Sequence, residues 1–139
     1  MLKVMLDEGA KMPRRAHKTD AGLDLYCRQG VIVEPHSSAV INTGVHIGFE
    51  PGTFGQIVSK SGLNVRDGIV CCGGTIDESY IGSIVVKVYN LSGKWYTFEP
   101  GDKVAQLIIM KYEAPEMEQV DYLDPTERGN RGFGSSGKQ

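Results

Sequence analysis

The chain has 139 residues, a length that fits one domain and leaves little room for a second. Its 15 Lys+Arg against 17 Asp+Glu give a formal net charge of −2, which excludes a generally basic protein that coats nucleic acid. A hydrophobic content of 40% is too high for a disordered chain, and 18 glycines exceed the roughly ten that average usage of about 7% would give.

The segments read as strands almost throughout. Residues 1–12 hold Lys3, Asp7, Glu8 and Lys11, so no signal-peptide apolar block fits between the charges. In residues 21–25, Leu23 and Leu25 share one face and Asp24 takes the other; read alone, Asp24 is an outward strand carboxylate. Residues 31–34 form a β-branched run closed by Pro35. Over residues 39–49 the odd positions Ala39, Ile41, Val45, Ile47 and Phe49 are apolar, which predicts one half-buried strand. A Pro51-Gly52 turn precedes a short strand at residues 54–58.

Residues 61–67 are the one helix candidate, about two turns, with Ser61 as N-cap. Gly73-Gly74 between residues 69–72 and 75–76 suits a primed hairpin turn. Residues 81–90 put Ile84, Val86 and Val88 on one face, and residues 94–98 are aromatic. Residues 103–112 are apolar on both faces around Gln106, as for a strand deep in a sheet. The most apolar window, residues 104–110, is far short of a membrane span. Short strands punctuated by Gly and Pro predict an all-β sandwich or barrel, a jelly roll being one option. From Pro125 onward the chain changes character, with one apolar side chain, Phe133, among residues 126–137; such a tail does not fold on its own apolar burial. Cys27, Cys71 and Cys72 cannot all pair internally, which points to reduced thiols and a cytoplasmic setting. His17, His36 and His46 have no metal-ligand spacing.

Five places carry chemistry. Asp24 is the first. In the second, Ser59-Lys60-Ser61-Gly62-Leu63, a small turn opening a short helix offers backbone N–H groups, a hydroxyl and a lysine to an anion; a plain cap is the equal alternative. In the third, bare glycines let a flat ligand approach the backbone at Gly74, Thr75 and Ile76, with Asp77 as a general base and Tyr80 as a ring beside it; a hairpin with a capping Asp is the competing reading. In the fourth, Gln106 in an apolar strand needs a hydrogen-bond partner from the protein or from a ligand. In the fifth, Arg128, Arg131, Ser135 and Ser136 suit phosphate, and Phe133 suits a lid that stacks on a base, unless the tail is simply a disordered terminus.

Taken together and in this order, the five segments resemble the homotrimeric dUTPase family, deoxyuridine triphosphate nucleotidohydrolases. The matching stretches are Ala21-Gly22-Leu23-Asp24-Leu25, Ser59-Lys60-Ser61-Gly62-Leu63, Gly74-Thr75-Ile76-Asp77-Glu78-Ser79-Tyr80, Gly101-Asp102-Lys103-Val104-Ala105-Gln106-Leu107, and residues 128–137 with Arg128, Phe133, Gly134, Ser135 and Ser136. The resemblance implies an all-β, distorted jelly-roll β-barrel subunit over residues 1–124, with one short helix. It implies a homotrimer with shared active sites, and a flexible arm over residues 125–139 that closes over a neighbouring subunit's site.

The implied reaction is dUTP plus water giving dUMP and pyrophosphate, with Mg²⁺ on the triphosphate; such a reaction keeps uracil out of DNA and supplies dUMP for dTMP synthesis. Asp77 matches the residue that activates water, and Asp24 the acid that holds the metal through water. Lys60, Ser61, Gly62, Gln106, Arg128, Ser135 and Ser136 match phosphate contacts. Cys71 (by its backbone), Gly74, Thr75 and Ile76 match the uracil slot, Tyr80 the wall against deoxyribose, and Phe133 with Gly134 the arm's cover over uracil. No stable nucleic-acid or membrane partner is implied. Three positions depart from the family pattern: Lys60 where arginine is usual, Cys71 where an asparagine often stands, and Arg131 in place of a glycine. The rivals are a dCTP deaminase-like enzyme on the same fold, for which no proton-shuttling glutamate motif is visible, and a regulatory protein on this scaffold.

Overall fold

A computed structural model describes residues 1–72 and 74–137. The chain folds into short antiparallel strands: β1 (Lys3–Leu6), β2 (Gly22–Tyr26), β3 (Val31–Val33), β4 (Ser38–Asn42), β5 (Val45–Gly48), β6 (Thr53–Val58), β7 (Ile69–Cys71), β8 (Thr75–Ile76), β9 (Val85–Asn90), β10 (Tyr96–Phe98) and β11 (Lys103–Lys111). One sheet has the order β2-β11-β6-β8 and a second the order β4-β9-β7; β1 pairs with β5, and β3 with β10. Neighbours in the sheets are distant in sequence, the crossed topology of a distorted jelly roll.

The core follows from the period-two pattern. Leu25, Ile41, Val45, Ile47, Ile69, Val86, Val88, Phe98 and Leu107 are all essentially inaccessible to solvent. Strand β11 lies between β2 and β6 in the sheet, and its successive residues Val104 and Ala105, on opposite faces, are both buried; the expected depth holds for this part of residues 103–112, whereas Met110–Tyr112 are exposed. Asn90 is fully buried at the end of β9; its amide donates to Val33 O (3.1 Å) and Lys94 O (2.7 Å), which ties β9 to the β3/β10 pair.

Four sequence expectations need correction. The run over residues 39–49 keeps one buried face but is not one strand. It breaks at Thr43-Gly44, so that Ile41 pairs with Val86 whereas Val45 pairs with Leu6. Gly44 makes the turn at φ +68°, and a Cβ there would lie 2.8 Å from Ala10 Cβ. The buried Thr43 hydroxyl donates to Ile84 O at 2.7 Å and bridges the break. The expected helix over residues 61–67 is present but opens as α at 61–62 and continues as π over Leu63–Asp67, closed by Gly68 in the left-handed conformation; Ser61 lies inside it and is not its N-cap, and the π stretch is capped at Gly62 without a side-chain hydrogen bond. Strands β7 and β8 do not form a hairpin: β7 pairs with β9 and β8 with β6, in different sheets. Of the expected Gly73-Gly74 turn, Gly73 lies outside the described residues. Lastly, β1, a strand not named from the sequence, forms in the charged first segment by pairing with β5.

Among the described residues no helix is long and apolar enough to cross a membrane. Residues 113–137 are almost wholly exposed, and among the described residues none of their hydrogen bonds reaches the barrel.

Candidate active site

The antiparallel register of β2, β11 and β6 sets Asp24, Gln106 and Val58 in one row across the sheet. Directly paired residues share a face, so the carboxylate and the amide emerge on the same side. The outward placement read for Asp24 alone is not what the fold gives: Asp24 is 3% exposed. Its Oδ1 receives the Lys60 ammonium and its Oδ2 the Lys103 ammonium at 2.8 Å. Burial pushes the Asp24 carboxyl up, but Lys103 and Lys60 outweigh it and hold the group below its ordinary value. Asp24 likewise raises Lys103. Lys60 and Lys103, with Gly62, Leu63, Arg66, Tyr96 and Asp102, line an open cavity of 340 Å³ whose cationic side is fixed from below by a buried anion.

Gln106 satisfies its need for a partner within the chain: Nε2 donates to Ser59 O at 3.1 Å. It lies directly over Gly22, where a Cβ would fall 2.1 Å from Gln106 Oε1, so the glycine is what lets the amide lie there. Ser59 is a second organiser that sequence reasoning did not single out by role. Its hydroxyl accepts from Cys71 N at 2.9 Å and donates to Cys71 O at 3.2 Å, standing in for a missing strand neighbour. Both backbone groups of Cys71 are thus engaged, and its half-buried thiol is pushed up by burial. Lys103 was also without an assigned role; only the β2/β11 register brings it to Asp24.

The other half of the site sits at the edge strand β8. Ile57 N donates to Gly74 O at 2.9 Å, extending the β6/β8 pairing, and Gly74 holds φ +94° with a would-be Cβ 2.7 Å from Ile57 Cβ. Thr75 Oγ1 donates to Gln56 Oε1 at 3.1 Å. Asp77 follows β8 with its side chain exposed, and Tyr80 N donates to Asp77 O at 3.0 Å, closing a turn that carries both residues. Thr75, Ile76, Asp77, Tyr80, Ser83 and Val85 line a cleft of 220 Å³. Glu78 does not enter it; its carboxylate accepts from Gly52 N across the β6 turn.

This cleft and the lysine-lined cavity share no residue. The chain therefore unites Asp77 with Tyr80, Thr75 and Ile76, and separately unites Asp24 with Lys60, Gly62 and Gln106. Arg128, Phe133, Gly134, Ser135 and Ser136 join neither group. Phe133 is fully exposed at φ +50°. Arg128 Nε donates to Arg131 O at 2.7 Å, and Arg131 Nε donates back to Arg128 O at 3.1 Å, so the arm's arginines brace its own turn.

Among the described residues no group of three or more His, Cys, Asp or Glu side chains converges on a point where a metal would be held. With both Asp24 oxygens on ammonium groups, the donor set does not fit a cation caged by protein. It fits one that arrives already coordinated by a polyphosphate.

Comparison with known proteins identifies the family and the fold. The sequence profile of the dUTPase family matches residues 8–137. The deoxyuridine 5'-triphosphate nucleotidohydrolase of Corynebacterium efficiens is 44% identical over 136 residues, covering 96% of this chain and 75% of that protein. The mitochondrial human deoxyuridine 5'-triphosphate nucleotidohydrolase is 38% identical, covering 96% of this chain and 53% of that protein. The dUTPase of Staphylococcus bacteriophage 80alpha, solved with dUPNHPP, superposes with a TM-score of 0.92 at 32% identity, covering 99% of this chain and 98% of the phage chain. A mutant dUTPase from phage phi11 of S. aureus, whose structure concerns coordination of a structural Mg(II) ion, superposes with a TM-score of 0.82 at 32% identity, covering 88% and 97%. From its core strands to its five separated chemical segments, the chain belongs to the dUTPase family.

Proposed function

We infer that the chain hydrolyses dUTP to dUMP and pyrophosphate in the cytoplasm, as a homotrimer whose active sites are shared. The observation that carries this reading is the exposed Asp77 carboxylate beside Tyr80 in a cleft that lacks any phosphate-binding cation of its own. A general base needs a phosphate held opposite it, and the chain's cationic cavity is elsewhere. A neighbouring subunit's Lys60 cavity set against this Asp77 supplies what each lacks. The arm over residues 125–139, whose described part makes no hydrogen bond to the barrel among the described residues, then closes over a third partner's site.

In this mechanism uracil enters beside β8, where Gly74, Thr75, Ile76 and the Cys71 backbone form the slot. The Gly74 and Cys71 carbonyls each keep a second lone pair for the base. A site built to pair a particular polar edge rejects bases that leave its groups unpaired. Tyr80 packs against deoxyribose and leaves no room for a 2′-hydroxyl. Lys60, Ser61, Gly62 and Gln106 hold the phosphates, with Lys60 acting as a point charge where an arginine would give a fork.

Mg²⁺ bound to the triphosphate supplies positive charge that offsets the charge developing on the phosphate oxygens. Asp24 would meet that ion only through water, on lone pairs the two lysines leave open. Asp77 accepts a proton from water as the water oxygen attacks the α-phosphorus; the bond to the β-phosphate bridging oxygen breaks and pyrophosphate leaves. Arg128, Ser135 and Ser136 contact phosphate from the arm, while Phe133 and Gly134 cover the base and exclude bulk water. The testing experiment is Asp77→Asn: nucleotide binding is retained and pyrophosphate release drops at least about a hundredfold, the usual scale of a lost general base. Full activity in that variant, or ammonia released from dCTP by the unaltered protein, would overturn the reading.

A further inference from the structure

Behind the turn that carries Asp77 and Tyr80 lies a hydrogen-bonded chain that none of the five segments contains. His46, on β5, has a side chain 17% exposed. Its Nδ1 lies 2.8 Å from Ile81 O, and its Nε2 lies 3.0 Å from Asp7 Oδ1. A carbonyl and an ionised carboxylate can only accept, so neutral imidazole, with one N–H, serves one of them, whereas imidazolium serves both.

The acceptors are themselves anchored. Asp7 N donates to Gly44 O at 2.9 Å, and Arg28 Nη1 reaches Asp7 Oδ2 at 3.4 Å. Ile81 directly follows Tyr80. Beyond it, Ser83 Oγ donates to Asn42 Oδ1 at 2.5 Å and Ile84 N donates to Val45 O at 2.8 Å. Between the Asp77–Tyr80 turn and these anchors, His46 grips the segment at its exposed midpoint. The charged groups facing His46 are Asp7, from the turn after β1, and Arg28, from the end of β2. The Tyr80–Ser83 segment presents only a carbonyl, because the Tyr80 hydroxyl is committed to Ser83 O at 2.9 Å.

We propose that His46 is a positioning residue which, as imidazolium, bridges Asp7 to the Ile81 carbonyl and thereby holds Tyr80 where it selects the sugar. The proposal rests on the reading of Tyr80 as the deoxyribose wall. The Ile81 carbonyl, and then Asp7, raise the His46 pKa above its ordinary value of 6.5 despite partial burial. The bridge is therefore complete at low pH, and one of its two contacts is given up as pH rises through that raised value. Sugar discrimination, not base recognition, is the property that loosens.

The test uses the full chain. The ring signals of His46, identified by their loss in His46→Gln, are titrated by NMR, and kcat/KM for dUTP and for UTP is measured from pH 5.5 to 9. In the unaltered protein the dUTP-over-UTP ratio falls about fivefold as His46 titrates, the scale of one hydrogen bond. Asp7→Asn moves both the NMR titration and this inflection to lower pH, and His46→Gln shows a flat ratio at the low level. Neither an unstable fold nor a general loss of activity produces a matched shift of the two curves. An active enzyme whose ratio is flat where His46 titrates, or an inflection retained in His46→Gln, overturns the proposal. Should His46→Gln fail to fold, the matched shift in Asp7→Asn decides alone. Absence of dUTP hydrolysis at every pH instead overturns the functional reading beneath it.

Discussion

Replacing Asp24 by Asn removes the anion on which the lysine-lined cavity is built. The Asp24–Lys103 pair has a lysine 47% exposed and contributes about 0.5 kcal/mol, as surface pairs do. The Asp24–Lys60 pair is more enclosed, with side chains 5% and 26% exposed. Breaking a fully buried pair costs about 3–5 kcal/mol, but here Lys60 can turn toward water, which lowers the penalty. The two together give a loss of about 2–3 kcal/mol at pH 7. Denaturant unfolding at one fixed protein concentration measures it, since any oligomer makes stability concentration-dependent.

The pH dependence makes the reasoning refutable. The folded-state pKa of Asp24 lies below its ordinary value of 3.8, so its stabilisation is complete above that value and is lost as pH falls through the folded pKa. The gap between the unaltered chain and Asp24→Asn should stay constant from pH 7 to about pH 5 and close in more acid solution. A gap that persists undiminished at pH 2, or one below about 0.5 kcal/mol at pH 7, would show that the two lysines do not depend on the carboxylate.

Other perturbations probe the remaining parts. Gly74→Ala forces a side chain into φ +94° and against Ile57, for a cost of about 2–4 kcal/mol from conformation and overpacking; hydrogen exchange at the Ile57 amide should lose protection while the β2/β11 amides keep theirs. Truncation after Glu127 should leave secondary structure and Tm unchanged, since the barrel makes no hydrogen bond to the arm among the described residues, but should reduce kcat/KM for dUTP by at least about tenfold; an unaltered kcat/KM would remove the arm from the site. Gly22→Ala displaces Gln106 from Ser59 O and should raise KM for dUTP several-fold with a stability loss of about 1 kcal/mol, read by thermal unfolding and steady-state kinetics.

Alternation of apolar residues made most of the core legible, because burial on one face is a local property of a strand. Ile84, Val86, Val88 and the apolar run around Gln106 are where the pattern placed them. What the pattern lacked was partnership. Residues 39–49 keep their apolar odd positions on both sides of Thr43-Gly44, yet the chain changes sheets there, since alternation records which face is buried and not which strand lies alongside. Gly73-Gly74 has the composition of a tight hairpin, but β6 and β9 compete for the flanking residues and win both. Asp24 looked like an outward carboxylate because its two cations come from 36 and 79 positions further along the chain. The chemical residues themselves were recognised through resemblance to a family; their division between two separate clefts emerged only from the fold.

Ser59 touches three of the proposed contact segments at once. Its carbonyl holds Gln106, its hydroxyl holds both backbone groups of Cys71, and its chain neighbour is Lys60. Phosphate cradle and base slot are therefore parts of one mechanical joint. Any opening that frees Cys71 also slackens the hold on Gln106, so in a trimer with shared sites, substrate gripped by this subunit's phosphate cradle stiffens the wall that reads the base in the next site. Adjacent sites are in this sense joined through one residue, its carbonyl on the phosphate side and its hydroxyl on the base side.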